Sequence, residues 1–519
     1  MKIDIYDTTL RDGTQREGIS LSCEDKVKIA QKLDELGVAF IEGGWPGSNP
    51  KDVEFFKRVK TLPWKSAVIT SFGSTCRVGG RASEDPNITA LLDSETAVCA
   101  LVGKSSHFQV SEILRTTPRE NLRIIEESVA YLVSQGRRVF YDAEHFFDGF
   151  KENSAYALET LQAARRGGAE VLVLCDTNGG GLPWEIADTV DCVRQTDRGA
   201  IGIHTHNDGE CAVANTLAAV RAGCSQVQGT INGYGERCGN ANLVAVIGDL
   251  SLKLMCECVP STSLQRLTET AHYVAEICNL SPDDHMAYVG KSAFAHKGGI
   301  HVAAIRRNPA SYQHVDPELV GNSMRVVVSE LSGRGNLLSK SEEYGLGMEE
   351  KHLAHHVASV LDEIKVLESK GFSFEAAEAS VALMMRRKQE GYAPPFELID
   401  LTVNVEHRQG RGIFAEATVK LNVNGTVVHT VAEGNGPVHA LDAAMRKALA
   451  PVYPVLDGIR LADYKVRILN GDMGTEATTR VLIETQNGTR RWSTVGASTN
   501  IIEASWCALA DSMEYGLTS

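Results

Sequence analysis

Val171-Leu-Val-Leu-Cys175-Asp176-Thr177-Asn178 and, after a helix-like stretch, Ala200-Ile-Gly-Ile-His204-Thr205-His206-Asn207-Asp208 decide the reading of the first half of the chain. Each is a short β-rich run that ends in a cluster of polar side chains. Working outward, similar runs occur at Ile3–Tyr6, Ala39–Glu42, Ala67–Phe72, Thr96–Val102, Arg138–Tyr141 and Gln226–Thr230. Amphipathic segments lie between them: Glu24–Leu36 closed by Gly37, Arg119–Ser134 closed by Gly136, and Ser154–Arg166 closed by Gly167. Strict alternation of β and α implies parallel strands joined by right-handed crossovers. Eight such units in about 250 residues match an α/β chain folded as a (βα)8 TIM barrel, placed here at residues 1–260. A doubly wound open sheet is the alternative; the missing G-x-G-x-x-G after the first run lowers it.

Beyond the barrel the pattern changes twice. Residues 261–390 read as mainly helical, including Phe294–Ile305 and Lys351–Leu367, and Gly391-Tyr-Ala-Pro-Pro395 reads as a linker. Residues 396–519 then repeat one unit. Strands at Leu398–Val405, Ala415–Val423 and Thr426–Val431 precede a helix near Pro437–Leu449. Strands at Tyr464–Leu469, Thr478–Thr485 and Arg491–Val495 precede a helix near Ile501–Ser512. Asn424-Gly425-Thr426 and Asn487-Gly488-Thr489 fall at matching hairpin positions. This duplicated βββα module lacks any grouping of acid, base and nucleophile, so it reads as a regulatory or assembly domain.

Composition narrows the class. A net charge of -14 argues against a nucleic-acid surface. With 43% hydrophobic and 23% charged residues the chain is ordinary for a globular protein. Its twelve cysteines show no paired framework, and Cys256-x-Cys258 lacks a second pair. Reduced thiols, no apolar leader and no apolar run of about 18 residues point to a cytoplasmic protein without a membrane segment.

In a barrel the loops after the strands build the site. Those loops hold Arg11 and Asp12, Glu42, Glu144, Thr177, His204 and His206, and Asn232-Gly-Tyr-Gly-Glu-Arg-Cys-Gly-Asn240. His204 and His206 are two apart on an extended segment and face one way. With Asp12 they suit a catalytic divalent metal, against the alternative of hydrogen-bonded loop histidines. Arg11 suits anion stabilisation, or a rim salt bridge. Thr177 suits a substrate carboxylate, or a helix N-cap. Glu144 suits a base or its orienting group, or a structural ion pair. By residue type alone, His296, His301 and Tyr312 would be surface residues.

Asp7-Thr-Thr-Leu-Arg-Asp-Gly-Thr-Gln15, His204–Asp208, Asn232–Asn240, Ala293–His301 and Tyr312-Gln-His-Val-Asp-Pro317 together resemble the signature of the Claisen-condensing metallo-barrel enzymes. This is the family of 2-isopropylmalate, homocitrate and citramalate synthases, and the likeness continues into the duplicated C-terminal module. The resemblance implies that Asp12, His204 and His206 ligate Mn, Mg or Zn, with Asn240 completing the shell. Arg11 would stabilise the enolate of acetyl-CoA, and Gln15 and Thr177 would contact substrate. Glu144 and His301 would form the base system, Tyr312 assisting, with 261–390 completing the active site across a homodimer. Glu42–Asp52 and Tyr141–Gly149 look most like a citramalate synthase branch. That implies pyruvate as the 2-oxo acid, (R)-citramalate as product, isoleucine biosynthesis as the pathway, and a branched-chain amino acid, isoleucine, as effector of 396–519. One departure is His145, where isopropylmalate synthases carry Asp.

Excluding a larger 2-oxo acid requires bulk near the site, for which Phe72, His107 and Phe146 are candidates. The nearest rival is 2-isopropylmalate synthase, using 2-oxoisovalerate. A hydroxymethylglutaryl-CoA lyase would carry Gly-Cys-Pro after strand 8, where this chain has Asn232-Gly-Tyr-Gly. A catalytically dead sensor would not need Arg11, Asp12, His204 and His206 together.

Overall fold

A computed structural model of the chain describes residues 1–329, 332, 334–343, 350–410, 412–488 and 490–518. Two compact units divide it: Met1–Phe294 with Val315–Ser323, and Ala295–His314 with Met324–Ser519.

The first unit is the expected barrel. Strands β1 (Asp4–Asp7), β2 (Phe40–Glu42), β3 (Val68–Ser74), β4 (Val98–Lys104), β5 (Arg138–Glu144), β6 (Val171–Asp176), β7 (Ala200–Thr205) and β8 (Gln226–Gly229) are parallel, and β8 closes on β1. Most strands start or end one to three residues later than the β-rich runs suggested, so Glu144 is the last residue of β5 rather than a loop residue. The first helix, α1 (Cys23–Leu36), shows why these segments fold locally. Ser22 and Asp25 form a capping box, and Gly37 ends the helix at φ 92°. The helix expected at Ser154–Arg166 instead spans Phe146–Gly167. Asn153 breaks it (φ −153°, ψ 88°), its side chain accepting from the Tyr156 N–H, and Gly168 rather than Gly167 ends it.

Inside the barrel, Tyr6, Phe40 and Phe140 pack as an aromatic floor with centroids 5.0–6.1 Å apart, Phe40 and Phe140 edge-on and Tyr6 tilted against both. Such pairs add about 0.5–1.5 kcal/mol each beyond area burial. Polar inward residues sit above this floor, toward the C-terminal ends of the strands. On the outside, Lys26 of α1 is buried against Asp52, and its ammonium also donates to the Gly43 carbonyl at 3.1 Å. Asp52 in turn accepts the Trp45 backbone N–H at 2.9 Å.

In the second unit the duplication is visible as two antiparallel three-stranded sheets, Phe396–Arg408 with Gly412–Val423 and Thr426–Gly434, and Ile459–Ile468 with Thr479–Asn487 and Arg490–Ser498. Helices Pro437–Leu449 and Ile501–Thr518 follow them, and both sheets and helices share one core. Asn424 and Gly425 both take positive φ (50° and 83°), as a tight hairpin turn requires. Gly488 does likewise at 59°, while Thr489 lies outside the described residues. The helix expected at Lys351–Leu367 runs Glu350–Ser369. Phe294–Ile305 is only partly helical. Ala295–His296 pairs as a short strand with Arg325–Val326, and Gly298-Gly299 delays the helix to Gly299–Arg307.

The helix Glu378–Arg386 and the residue after it are tied to Ile501–Thr518. Arg387 Nη2 donates to Asp511 at 2.7 Å and to Glu514 at 2.6 Å, Tyr392 Oη donates to Glu514 at 2.7 Å, and Ser380 donates to Asp511 at 2.8 Å. All twelve cysteines are free. Among the described residues no helix is long and apolar enough to cross a membrane.

The buried Lys26–Asp52 pair generates a stability test. Lys26→Met leaves a buried carboxylate without its cation, which costs about 3–5 kcal/mol. The unfolding midpoint of the barrel unit, followed by circular dichroism, is expected to fall, and Lys26→Met/Asp52→Asn to recover at least half of the loss. Equal loss in single and double variants would show that the pair is not coupled.

Candidate functional site

Strand parity builds the site. Along β5, Phe140, Asp142 and Glu144 alternate inward; along β7 and just beyond it, Gly202, His204 and His206 do so; on β8, Gln226 and Gln228. A cavity of about 620 Å³ opens over the strand ends. Arg11, Asp12, Gln15, Glu144, Thr177, His204 and His206 all line it. Asn240 stands behind Asp12 instead, fully buried, with its amide 2.8 Å from Asp12 Oδ2.

Asp12, His204 and His206 converge so closely that one potential ligand atom from each lies within 4.8 Å of the others. His204 Nε2 is 3.2 Å from Asp12 Oδ2 and 3.2 Å from His206 Nε2. Behind them, His204 Nδ1 meets Gln228 Oε1 at 2.9 Å, and Gln228 Nε2 donates to Asp142 Oδ1 at 3.1 Å. Burial alone would raise the Asp12 carboxyl, but the Arg11 charge and the two imidazoles hold it well below the usual carboxylate range. Burial and the His204 charge push His206 down to about 4, leaving its ring neutral. For His204 burial acts downward too, but the Asp12 carboxylate outweighs it and raises the imidazole. Burial, with the Glu42 charge, pushes Asp142 up to about 7.

This donor set fits a divalent cation. It supplies two imidazoles and a carboxylate with room in front of them, a combination suited to an open catalytic site. Asn240 Oδ1 and His206 Nδ1 are buried without a hydrogen-bond partner among the described residues, and the Asn240 amide can be turned to offer oxygen instead of NH2. Two glycines of the Asn232–Asn240 loop make the approach possible. A Cβ on Gly235 would overlap Asn240 Oδ1, and one on Gly239, which sits at φ 94°, would overlap the Gly233 carbonyl.

Arg11 is held on three sides. Its Nε donates to the fully buried Glu42 at 2.6 Å, its Nη1 lies 3.3 Å from Asp12, and its guanidinium stacks 3.9 Å over the Phe72 ring. Burial alone would lower it; the Asp12 and Glu42 carboxylates keep it firmly protonated. Trp45 continues this wall, edge-on to Phe72 at 5.4 Å and donating to Asn87 at 2.6 Å. Thr177 is not a helix N-cap: the next helix begins at Pro183, capped at Leu182. Its hydroxyl oxygen accepts the His145 N–H at 2.8 Å, which leaves the O–H free to donate into the cavity. His145 takes φ 58° and carries its ring to 3.7 Å from Asp148. Glu144 pairs with Lys104, its neighbour in register on β4.

Two of the three bulk candidates do not serve the cavity. Phe72 lines it, but Phe146 is fully buried against Phe147 and Phe150, and His107 packs edge-on to Tyr156. Asp142, Lys104, Gln228 and Trp45 were given no role by the sequence reading, although Asp142 lies within Tyr141–Gly149 and Trp45 within Glu42–Asp52. Inward parity on β4, β5 and β8 would have found the first three; Trp45 carries no such signal. His301 and Tyr312 belong to the second unit, where their rings stack at 4.3 Å, with His301 exposed and Tyr312 47% exposed.

Residues 2–274 match the HMGL-like family, 288–370 the homocitrate synthase post-HMGL domain-like family, and 375–517 the LeuA allosteric (dimerisation) domain. The last match begins just before the helix that Arg387 and Ser380 tie to the C-terminal module. Over 99% of this chain and 97% of theirs, it is 51% identical to the (R)-citramalate synthase of Geobacter sulfurreducens. It is 52% identical to that of Synechocystis sp., over 99% of this chain and 96% of the relative. The chain belongs to the 2-isopropylmalate and citramalate synthase family. Within that family the 2-isopropylmalate synthase of Methanocaldococcus jannaschii is more distant, at 28% over 98% of this chain and 94% of its own.

Gly235→Ala tests whether the loop supports a cation at Asp12, His204 and His206. A methyl group there displaces the Asn240 side chain from Asp12 while leaving every other side chain of the Asp12, His204 and His206 group unchanged. Bound metal after dialysis is expected to fall at least tenfold, the effect of disturbing groups that support metal ligands, with the circular dichroism spectrum unchanged. Undiminished metal content would show that Asn240 has no part in the site.

Proposed function

We propose that this protein condenses acetyl-CoA with pyruvate to give (R)-citramalate and CoA, a step that feeds isoleucine biosynthesis. The observation that carries the reading is the identity of about half of all residues, over nearly the full length, to (R)-citramalate synthases. The cavity supports it by offering a cation site, a fixed guanidinium and a carboxylate in one space.

The chemistry assigns the parts. The thioester methyl group is a very weak carbon acid, so its proton leaves only if the enolate charge is stabilised as it forms. Arg11, locked between Glu42, Asp12 and Phe72, is preorganised to face that charge. By family resemblance Glu144 and His301 take the proton, with Tyr312 assisting. A divalent cation held by Asp12, His204 and His206, with Asn240 in support, would polarise the 2-oxo carbonyl when bound. The Thr177 hydroxyl donates to the 2-oxo acid carboxylate, and Gln15 contacts substrate at the cavity edge. The enolate carbon bonds to C2 of pyruvate, and the carbonyl oxygen takes up a proton. Water then cleaves the thioester, releasing CoA and making the condensation effectively irreversible. The C-terminal module is the feedback domain, with a branched-chain amino acid, isoleucine, as effector, in a homodimer.

Two measurements test the proposal. With acetyl-CoA fixed and CoA release followed, kcat/KM for pyruvate is expected to exceed that for 2-oxoisovalerate by at least roughly 100-fold, the cost of two ill-fitting methyl groups. A higher value for 2-oxoisovalerate would make the protein a 2-isopropylmalate synthase. Glu144→Ala and His301→Ala are each expected to lower kcat strongly, and the double variant to cost much less than the product of the two. Multiplicative losses would show that the two residues act independently.

A further inference from the structure

We propose that Gln228 is a positioning residue that decides which ring nitrogen His204 presents to the cation; this rests on the cation reading given above. Gln228 is fully buried on the inward face of β8. Its Nε2 donates to Asp142 Oδ1 at 3.1 Å, and its Oε1 lies 2.9 Å from His204 Nδ1. A carboxylate can only accept, so Asp142 turns the NH2 end of the amide toward itself. The oxygen end is left facing His204. Oxygen there can also only accept, so Nδ1 must carry the proton. A neutral imidazole protonated at Nδ1 has its lone pair on Nε2, the atom 3.2 Å from both Asp12 Oδ2 and His206 Nε2.

The reverse amide orientation would do the opposite. An NH2 group aimed at Nδ1 would make that atom the acceptor and place the proton on Nε2, where the cation must bind. Asp142 and Gln228 therefore act as a two-residue relay whose only polarity compatible with ligation is the one observed. His206 has no equivalent support, since its Nδ1 is buried without a partner among the described residues. The two imidazoles are thus unequal: His204 is oriented in advance and His206 adapts. Hydrogen-bonded groups behind a histidine ligand typically contribute 10–100-fold to metal affinity.

The test uses the full-length protein with Zn2+ as probe at pH 8. Zn2+ affinity is read by competition with a chromophoric chelator, and the His204 ring by 15N–1H spectra of the Zn2+-loaded protein. In the unaltered protein Nε2 should carry the coordination shift and Nδ1 a slowly exchanging proton. Gln228→Leu is expected to weaken binding 10–100-fold and to let the Nδ1 proton exchange freely. Gln228→Glu retains an acceptor for Nδ1–H and, sharing one proton with Asp142 as neighbouring buried carboxyls do, should restore affinity to within a few-fold. Asp142→Asn leaves Gln228 intact, guards against a folding defect in the leucine variant, and should weaken binding several-fold because the amide can then turn. A merely structural Gln228 would make the glutamate variant as poor as the leucine one. Unchanged Zn2+ affinity in Gln228→Leu, or coordination through Nδ1, would overturn the proposal. If the unaltered protein bound no Zn2+, the cation reading itself would fall, and this inference with it.

Discussion

Asp12, His204 and His206 aim three lone-pair-bearing atoms at one point, and much of the barrel mouth is arranged to hold them there. Left alone, such a group is strained: the proton positions that satisfy one pair deny another. The fold keeps it together by fixing each member from behind. His204 is backed by Gln228, Asp12 by Arg11 and Asn240, and the Asn240 amide has room only because residue 235 has no side chain. Asp142 and Gln228 fall on the inward parity of β5 and β8, so they exist as supports only once those strands have closed into a barrel.

The opposite wall is built on a different principle. Arg11 lies against the Phe72 ring, Phe72 meets Trp45 edge-on, and Trp45 is anchored through its backbone to the Asp52 of a buried ion pair. A guanidinium stacked on an aromatic face and hydrogen-bonded through Nε to Glu42 keeps its charge and loses its freedom. Such a group can stabilise charge appearing on a substrate without reorganising, which is the property that catalysis of enolate formation needs. A lysine at this position could not make both contacts.

How much of this was legible in the sequence depended on the range of the interaction. The alternation of β and α segments is local, so all eight barrel strands could be read to within three residues and the duplicated module as a repeat, although its Ile459–Ile468 strand starts five residues before the expected Tyr464 and its last helix runs on to Thr518. The i, i+2 spacing of His204 and His206 is local too, and it sufficed to expect their convergence with Asp12. What escaped were contacts fixed only by closure. Gln228 sits inside a strand, where an uncharged amide reads as filler. Lys104 and Glu144 become neighbours only through the register of β4 and β5. Phe146 and His107 are the converse: position after a strand suggested pocket residues, yet Phe146 faces the helix layer and His107 packs on Tyr156. The early start of the helix at Phe146 was hidden by Asn153, whose side chain caps a second helical segment within it.

In the proposed reaction the 2-oxo acid would meet a cation at Asp12, His204 and His206. Line broadening of [2-13C]pyruvate by Mn2+-loaded protein tests it most directly, because the effect falls steeply with distance and does not require turnover. Strong broadening of the C2 resonance in the unaltered protein, abolished in His204→Ala, is the expected result. Protein-bound Mn2+ that left the C2 resonance sharp, or broadening that persisted undiminished in His204→Ala, would contradict it.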